Sequence, residues 1–280
     1  MKTGIIDVGG GMRAIFAAGV LDACLAKEYS FDRCVGISAG SGNMSSFLAG
    51  QKGRNLKYYM DFVFRKQYIG FGNYLKNRSF VNLDYAYSVL AASGGECPLD
   101  YPKLKENPAE FTVVACNALT GKAKYFTKED LSQNNYGILM ASSSLPGVNR
   151  PYCMDGVPYY DGGIVDPIPV QRLIDEGTDK IVLLLSRPRN YVRTPKRDCK
   201  FAHLVPKKYA KTADALRVRY QTYNESLELA KKYEAERRVL ILAPEECYGV
   251  DTLHGDKEAL QRLYADGMRA ACAIGEFLRE

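Results

Sequence analysis

Histidine is scarce in this sequence, close pairs of cysteines are missing, and no long apolar run is present. The two histidines, His203 and His254, are far apart in the chain, and none of the eight cysteines belongs to a Cys-x-x-Cys pair. A zinc site needs several such ligands at suitable spacing, so we expect no metal ion. No stretch reaches the roughly twenty uninterrupted apolar residues that a membrane-spanning helix requires.

The N-terminal segment also lacks the features of a signal peptide. Its apolar run is interrupted by Asp7 and by glycines before a signal-peptide core could form. Scattered cysteines are typical of free thiols in a reducing compartment, and we expect Cys24, Cys34, Cys116 and Cys272 to be buried. These features predict a cytoplasmic protein, which could meet a membrane only at its surface.

The net charge of +6 is modest for 280 residues, yet the basic excess is concentrated between Arg187 and Arg219. This segment could favour anionic membrane surfaces or lipid head groups, or it could be a solvated, mobile stretch. Both interpretations remain open. No zinc-finger spacing, aromatic RNA-binding motif or basic zipper accompanies the charge, so we expect no nucleic-acid partner.

Strand and helix patterns alternate along the chain. Segments 3–7 and 33–36 predict buried strands, a helical pattern covers 15–27, and 181–185 is a continuous apolar run typical of a central parallel strand. No internal repeat or low-complexity linker divides the sequence. We therefore expect residues 1–280 to form a single α/β domain with a central, mostly parallel sheet covered by helices on both faces.

Between residues 56 and 101 the pattern changes to dense aromatic residues without clean periodicity. They include Tyr58, Tyr59, Phe62, Phe64, Tyr68, Phe71, Tyr74, Phe80, Tyr85 and Tyr87. This aromatic-rich segment predicts an insertion that covers part of the domain. It could form the wall of a pocket for an acyl chain, or it could pack a core, and both alternatives remain open.

The most informative motif is Gly36-Ile37-Ser38-Ala39-Gly40, at the end of the second predicted strand. Small residues on both sides of the serine allow the sharp strand-to-helix turn that exposes its hydroxyl for nucleophilic attack. The motif therefore suggests an acyl-transfer site with Ser38 as the nucleophile.

Two other glycine-rich turns could complete such a site. Gly9, Gly10 and Gly11 follow the first predicted strand, and N–H groups in a turn of this kind can converge on the oxyanion of a tetrahedral intermediate. Asp161-Gly162-Gly163 follows a short alternating segment, and its glycines let the carboxylate face a cleft. Taken alone, Asp-Gly is more often an ordinary β-turn.

In this order, the glycine loop, the Gly-x-Ser-x-Gly turn and Asp-Gly-Gly resemble the patatin-like phospholipase family, whose members are lipid acyl hydrolases with a Ser-Asp dyad. Segments 15–22, 112–117 and 141–147 are similar to bacterial-type members as well, and the similarity covers most of the chain. The resemblance implies a three-layer patatin-like α/β fold, a phospholipid or lysophospholipid ester as substrate, and no metal or organic cofactor.

The resemblance also implies roles for individual residues. Ser38 matches the family nucleophile and Asp161 its base, and we expect burial to raise the pKa of Asp161 because an ordinary aspartate is a weak base. The oxyanion hole would consist of Gly9, Gly10, Gly11 and Ala39. The supporting positions are Arg13 at the basic position of the loop, Gly36, Gly40, Gly162 and Gly163.

Two positions depart from the family pattern. Val8 stands where an acidic residue usually precedes the glycines, with Asp7 one position earlier, and Ala14 replaces the usual closing glycine. These departures leave the anchoring of the glycine loop open.

A dinucleotide-binding protein is an alternative from another class. Gly9-x-Gly11-x-x-Ala14 satisfies the fingerprint, but Asp32 comes before the second strand, whereas a ribose-binding acid should stand at the end of that strand. A patatin-like protein that binds lipid with little turnover is a further alternative, because the same groups could be present in poor geometry.

An ordinary α/β-hydrolase triad is the last alternative, since Ser38 and Asp161 are followed by His203 and His254. In that fold several βα units precede the nucleophile, whereas one precedes Ser38 here. We therefore expect Asp161 to act as the base directly.

Overall fold

The structure is a computed structural model that describes residues 1–279, and a mixed eight-stranded sheet forms its centre. The strands are β1 (Thr3–Asp7), β2 (Arg33–Ile37), β3 (Glu110–Asn117), β4 (Ala123–Thr127), β5 (Tyr152–Met154), β6 (Val157–Asp161), β7 (Lys180–Leu184) and β8 (Val239–Leu242). The helices are α1 (Ile15–Ala26), α2 (Ala39–Leu48), α3 (Arg54–Asp61), α4 (Phe71–Asn77), α5 (Tyr101–Glu106), α6 (Gly137–Ser143), α7 (Val170–Asp175), α8 (Pro195–Leu204), α9 (Ala210–Ala235), α10 (Lys257–Ala270) and α11 (Ile274–Phe277).

Five parallel strands make up the larger part of the sheet, in the order β3-β2-β1-β7-β8. Their carboxyl ends lie along one edge, so the loops after β1 and β2 are neighbours. The predicted glycine loop and serine turn follow these two strands and therefore meet there.

The antiparallel part of the sheet explains how distant sequence segments reach the same edge. One side of β3 pairs with β2 as far as Ile37, which lies opposite Val114, and then with β6, whose Asp161 lies opposite Ala115. β4 occupies the other side of β3, and β5 pairs with β6. The ends of β2 and β6 thus stand at adjacent positions along β3.

Side chains that alternate along the strands bury both faces of the sheet. On one face, Ile5 and Val113 belong to a core covered by α1, α2 and α6. On the other, Ile6 and Val114 belong to a core covered by α7 and α9. The expected three-layer α/β fold with a mostly parallel sheet is confirmed.

Several elements differ from the sequence expectations. The basic segment contains α8, which packs beside α9, and the C-terminal helices α10 and α11 are joined by a 3-10 turn. Cys24, Cys34 and Cys116 are buried as expected, but Cys272 is exposed. Across residues 1–279, every helix is either too short or too polar to cross a bilayer.

Candidate active site

Ser38 occupies the turn between β2 and α2 with φ of 55° and ψ of −131°, values that non-glycine residues rarely adopt. Hydrogen bonds on both sides hold this conformation. The Ser38 N–H donates to the Ser142 hydroxyl at 2.8 Å, and that hydroxyl donates to the Val114 carbonyl oxygen at 2.6 Å. The Ser41 hydroxyl donates to the Ser38 carbonyl oxygen at 2.7 Å. The surroundings therefore fix a strained backbone beside the cavity that Ser38 lines.

The glycines on either side of Ser38 permit close packing of this turn. A Cβ atom on Gly36 would lie 2.5 Å from the Ser41 Cα, and one on Gly40 would lie 2.3 Å from the Asp7 carbonyl oxygen. Both distances are far shorter than real contacts, so any side chain at either position would displace backbone. Ser142 was given no role by the sequence, because its hydrogen bonds join residues far apart in the chain.

Asp161 is brought to Ser38 by the register of β6. Ser38 and the buried Asp161 carboxylate line the same cavity, and the serine hydroxyl is close enough to lower the pKa of that carboxyl. The Gly163 N–H donates to Asp161 Oδ1 at 2.8 Å. A Cβ on Gly162 would lie 2.1 Å from the Val114 carbonyl oxygen, so this turn too depends on glycine. The structure therefore places both predicted catalytic residues together.

Burial sets the basicity of Asp161. Removal from water disfavours the carboxylate and raises its pKa above the ordinary value, as expected. The nearby cation of Arg219, the Ser38 hydroxyl and the hydrogen bond from the Gly163 N–H oppose that shift without reversing it. Asp161 is therefore a stronger base than a solvent-exposed aspartate.

The glycine loop carries unpaired N–H groups into the same cavity. Gly9, Gly10 and Gly11 have φ of 67°, 123° and 63°, a region that side chains rarely adopt. Within residues 1–279 the N–H groups of Gly10 and Gly11 donate to no protein acceptor. Both residues line the cavity beside Ser38. Unpaired N–H groups at this place can donate hydrogen bonds to a negatively charged oxygen.

Gly9 and Ala39 differ as donors for such an oxygen. The Gly9 N–H already donates to Asp7 Oδ1 at 2.8 Å, so we assign Gly9 a role in shaping the loop rather than as a donor. Ala39 begins α2 and lines the cavity. Its amide is one of the first in the helix, which have no acceptor within the helix.

Asp7 anchors the glycine loop. The sequence had left this anchoring open, because Val8 replaces the acidic residue that usually precedes the glycines. The carboxylate is buried and accepts from the Gly9 N–H and from Asn43 Nδ2, at 2.8 and 2.9 Å. Burial raises the pKa of Asp7 to about 7, although both donors oppose the shift. Through Asn43, the Asp7 carboxylate ties the loop to α2. Asp7 stands one position earlier in the sequence than the acidic residue of the family pattern.

The loop before α10 anchors the other side of the glycine loop. The Met12 N–H donates to the Thr252 carbonyl oxygen at 3.0 Å, and Arg13 Nη1 pairs with Asp251 at 2.7 Å. Sequence reasoning identified Arg13 but missed Asp251 and Thr252, because more than two hundred residues separate the partners and no motif marks them.

The cavity beside Ser38 has a volume of about 210 Å³. Much of its apolar lining comes from the aromatic-rich segment, including Tyr58, Tyr68 and Tyr87. Phe62 instead packs with Leu90 and Cys97 in a small core of its own. The segment therefore does both things that the sequence left open: it lines the pocket and packs a core.

The alternative assignments lack support in the geometry. His203 and His254 are exposed, and neither is among the described residues that line the cavity of Ser38. Asp32 accepts from the Thr3 N–H at 2.7 Å, at the start of β1 and thus at the opposite end of that strand from the glycine loop. Neither a histidine triad nor a ribose contact follows from these positions.

Known proteins similar to this chain include several uncharacterized ones. The uncharacterized protein YjjU of Escherichia coli K12 is 29% identical over 199 residues, which cover 69% of this chain and 54% of YjjU. An uncharacterized NTE family protein of Mycobacterium tuberculosis H37Rv, Rv1063c, is 33% identical over 76 residues, 27% of this chain and 20% of that protein. The chain thus spans about half the length of YjjU and a smaller part of Rv1063c.

A solved structure and two family models also match. The crystal structure of VipD from Legionella pneumophila aligns with 97% of this chain and 66% of that chain, with a TM-score of 0.50 and 14% identity, which shows a common fold. A domain of unknown function, DUF6363, matches residues 209–278. The model for patatin-like phospholipase matches residues 8–174, more than half of the sequence. The chain therefore belongs to the patatin-like phospholipase family.

Proposed function

We propose that the protein is a serine acyl hydrolase that cleaves a carboxylic ester of a lipid, with Ser38 as nucleophile and Asp161 as base. The observation that carries this proposal is the placement of Ser38 and the buried Asp161 carboxylate in one cavity, where the serine hydroxyl is close enough to lower the pKa of that carboxyl. Unpaired amides of Gly10 and Gly11 line the same cavity. Membership of the patatin-like phospholipase family supports lipid hydrolysis in general.

In the acylation step, Asp161 takes the proton of the Ser38 hydroxyl as the oxygen attacks the ester carbonyl carbon. The carbonyl oxygen becomes an oxyanion that accepts hydrogen bonds from the N–H groups of Gly10, Gly11 and Ala39. When the tetrahedral intermediate collapses, the bond to the alcohol oxygen breaks and Asp161 returns the proton to that oxygen. The products are the free alcohol and acyl-Ser38.

In the deacylation step, Asp161 takes a proton from a water molecule that attacks the acyl-Ser38 carbonyl carbon. Collapse of the second tetrahedral intermediate breaks the bond to the Ser38 oxygen, and the proton returns to that oxygen. The products are the carboxylic acid and the free enzyme. The raised pKa of Asp161 assists both proton transfers, because a base works best when its pKa approaches the ambient pH.

The lining of the cavity fits an ester with an apolar acyl chain. Tyr58, Tyr68, Ile69, Val81 and Leu83 present apolar surface beside the nucleophile. Burial of methylene groups against such a wall contributes about 0.8 kcal/mol each. This wall is the basis for proposing a lipid rather than a short polar ester.

A serine-reactive fluorophosphonate tests this proposal. We expect one adduct, located by mass spectrometry at Ser38, because the reagent needs an activated serine and its phosphoryl oxygen would use the same amides. Gly10→Ala should slow labelling by at least about a hundredfold, since loss of one oxyanion donor typically has an effect of that size. Its Cβ would lie 2.3 Å from Ser186 Oγ at a φ of 123°, so the loop must move.

Gly177→Ala is the matched control for this experiment. Gly177 also has positive φ, at 78°, but a Cβ there would meet no atom within 4 Å, and it does not line the cavity. The control shares the conformational strain and should be labelled at the rate of the unaltered protein. Labelling of another residue, or equal rates for Gly10→Ala and the unaltered protein, would contradict the proposal.

We also propose that α4 contacts an anionic bilayer. This helix exposes 63% of Phe71 and 67% of Leu75, and Lys76 and Arg78 lie exposed at its end. It forms the tip of the loop between Ile69 and Val81, which pair with each other and line the cavity. Apolar side chains flanked by cations suit the surface of an anionic membrane.

Co-sedimentation with vesicles of phosphatidylglycerol and phosphatidylcholine tests this contact. Phe71→Ser/Leu75→Ser should weaken binding by about tenfold or more, because each buried side chain of this size contributes about 1.5–3 kcal/mol. Leu119→Ser/Val218→Ser is the control, since these residues are 51% and 48% exposed and lie outside α4. Equal losses of vesicle binding in both double variants, or no loss in Phe71→Ser/Leu75→Ser, would contradict the assignment of α4 as the membrane contact.

A further inference from the structure

Six arginines line the cavity of Ser38, and all of them except Arg54 lie together on its glycine-loop side. Arg13 follows the glycine loop, Arg187 and Arg193 lie between β7 and α8, Arg197 is on α8, and Arg219 is on α9. We call these residues the arginine cluster. Four of them come from the basic segment whose purpose the sequence left open.

The carboxylates around the arginine cluster do not balance its charge. Asp251 accepts from Arg13 at 2.7 Å and from Arg197 at 3.3 Å, and it lies 3.9 Å from Arg187.

Asp198, which is fully buried, is the carboxylate beside the other two members of the cluster, Arg193 and Arg219. It pairs with Arg193 at 2.7 Å and lies 3.6 Å from Arg219. With Asp161 ionised as well, the five cations of the cluster face three carboxylates, and Arg54, which also lines the cavity, donates to Ser46 and to backbone carbonyls, so an excess of positive charge remains.

Two members of the cluster are largely shielded from solvent and incompletely hydrogen-bonded: the side chain of Arg219 is 15% exposed. Arg13 is 6% exposed, and the Nε atoms of Arg13 and Arg219 are buried without a hydrogen-bond partner. Burial and neighbouring cations lower the pKa of each to about 10, so both remain charged at neutral pH. Buried donors and unpaired charges are costly, and a bound anion would offset that cost.

The cluster borders both parts of the proposed catalytic machinery. The place that a Cβ of Gly163 would take is 3.1 Å from Arg219 Nη2 and 3.1 Å from Asp161 Oδ1. The corresponding place at Gly10 is 3.5 Å from Arg13 Nη2. An anion held by these arginines would therefore lie next to the ester under attack.

We propose that the arginine cluster binds a phosphate monoester on the alcohol part of the substrate, so that the enzyme prefers acyl esters of a phosphorylated polyol. This inference rests on the proposed function and names its substrate class. A phosphate monoester carries close to two negative charges at neutral pH, so it compensates more of the excess positive charge than a phosphodiester with one. Guanidinium groups also match phosphate oxygens in bidentate geometry.

The same cluster disfavours other lipid head groups. A neutral glyceride would leave the guanidinium groups without an anion. A zwitterionic phosphodiester would place a cationic group near five arginines. It would supply only one negative charge to compensate them. The acyl chain would occupy the apolar lining from the aromatic-rich segment.

Binding to a variant without the nucleophile separates this inference from turnover. We expect Ser38→Ala to bind glycerol 3-phosphate in titration calorimetry and to show no binding of glycerol at equal ionic strength. Adding Arg187→Gln/Arg197→Gln to this variant should weaken its affinity for glycerol 3-phosphate by about a hundredfold. Each hydrogen bond to a charged group contributes a factor of roughly ten or more to the affinity. These two arginines are 25% and 45% exposed, so their replacement disturbs little packing.

Arg217→Gln/Arg262→Gln in the same background is the matched control. It removes two positive charges, but Arg217 and Arg262 are exposed, pair with Asp214 and Glu258, and lie outside the cavity. We expect its affinity for glycerol 3-phosphate to stay within about twofold, because exposed pairs contribute little. Equal weakening in both double variants, or no binding of glycerol 3-phosphate to Ser38→Ala, would overturn the arginine subsite.

Kinetics of the protein with Ser38 intact complete the test. The ratio of kcat/KM for an acyl glycerol phosphate to kcat/KM for the neutral glyceride of the same chain should exceed one, and it should fall at least tenfold in Arg187→Gln/Arg197→Gln. Hydrolysis of both esters without preference would overturn the subsite alone. Binding of glycerol 3-phosphate without hydrolysis of any ester would support the subsite and contradict the proposed function.

Discussion

Replacement of Ser38 by alanine should lower ester hydrolysis by on the order of a millionfold, because loss of a catalytic serine removes the acyl-enzyme route altogether. The fold should persist, since the hydrogen bonds that hold the turn involve the Ser38 backbone rather than its hydroxyl. Hydrolysis of a chromogenic ester gives the rate, and circular dichroism reports the fold.

Ser45→Ala is the control for this prediction. Ser45 is buried on α2, the helix that follows Ser38, and donates to the Gly42 carbonyl oxygen at 2.8 Å, but it does not line the cavity. Its loss removes a buried hydroxyl of the same kind without touching the proposed chemistry, so activity should remain. A folded Ser38→Ala protein with turnover comparable to that of Ser45→Ala would exclude an acyl-enzyme at Ser38.

The parallel core was predictable because its strands are buried on both faces. The run 181–185 differs from β7 by one residue at each end, and 33–36 differs from β2 only by Ile37. Such strands appear in the sequence as apolar runs whatever their partners are. The order of the three glycine-rich motifs then indicated the patatin-like family, whose pattern joins Ser38 and Asp161 in one site.

The pairing of β6 with β3 was less accessible to sequence reasoning. Pairing of β6 beyond the end of β2 depends on the register of β3, a long-range property that leaves no local pattern. The motifs predicted that Ser38 and Asp161 belong to one site, but only the structure shows why their backbones are adjacent. Their catalytic roles remain predictions.

The structure of the basic segment also depends on long-range contacts that leave no local pattern in the sequence. Its charges were evident, but α8 is stabilised by contacts with α9 and by the buried pair of Arg193 and Asp198, which periodicity does not reveal. Asp251 and Thr252 were missed for a related reason, since they contact the glycine loop from the other end of the chain. They lie within the region that the domain of unknown function matches.

Asp161→Asn should abolish turnover nearly as fully as loss of the Ser38 hydroxyl. The amide keeps the size of the carboxylate and can still accept from the Gly163 N–H, but it cannot take the serine proton at neutral pH. For the unaltered protein, kcat/KM should fall as the pH is lowered through the raised pKa of Asp161, because protonation removes the base.

His203→Gln and His254→Gln distinguish a dyad from a triad in the same assay. Both histidines are exposed and neither lines the cavity, so each variant should retain most of its activity. A loss of about a thousandfold or more in one folded histidine variant would instead indicate a histidine base, with Asp161 serving to orient it. Ser38 could then remain the nucleophile, but the direct proton transfer to Asp161 would be wrong.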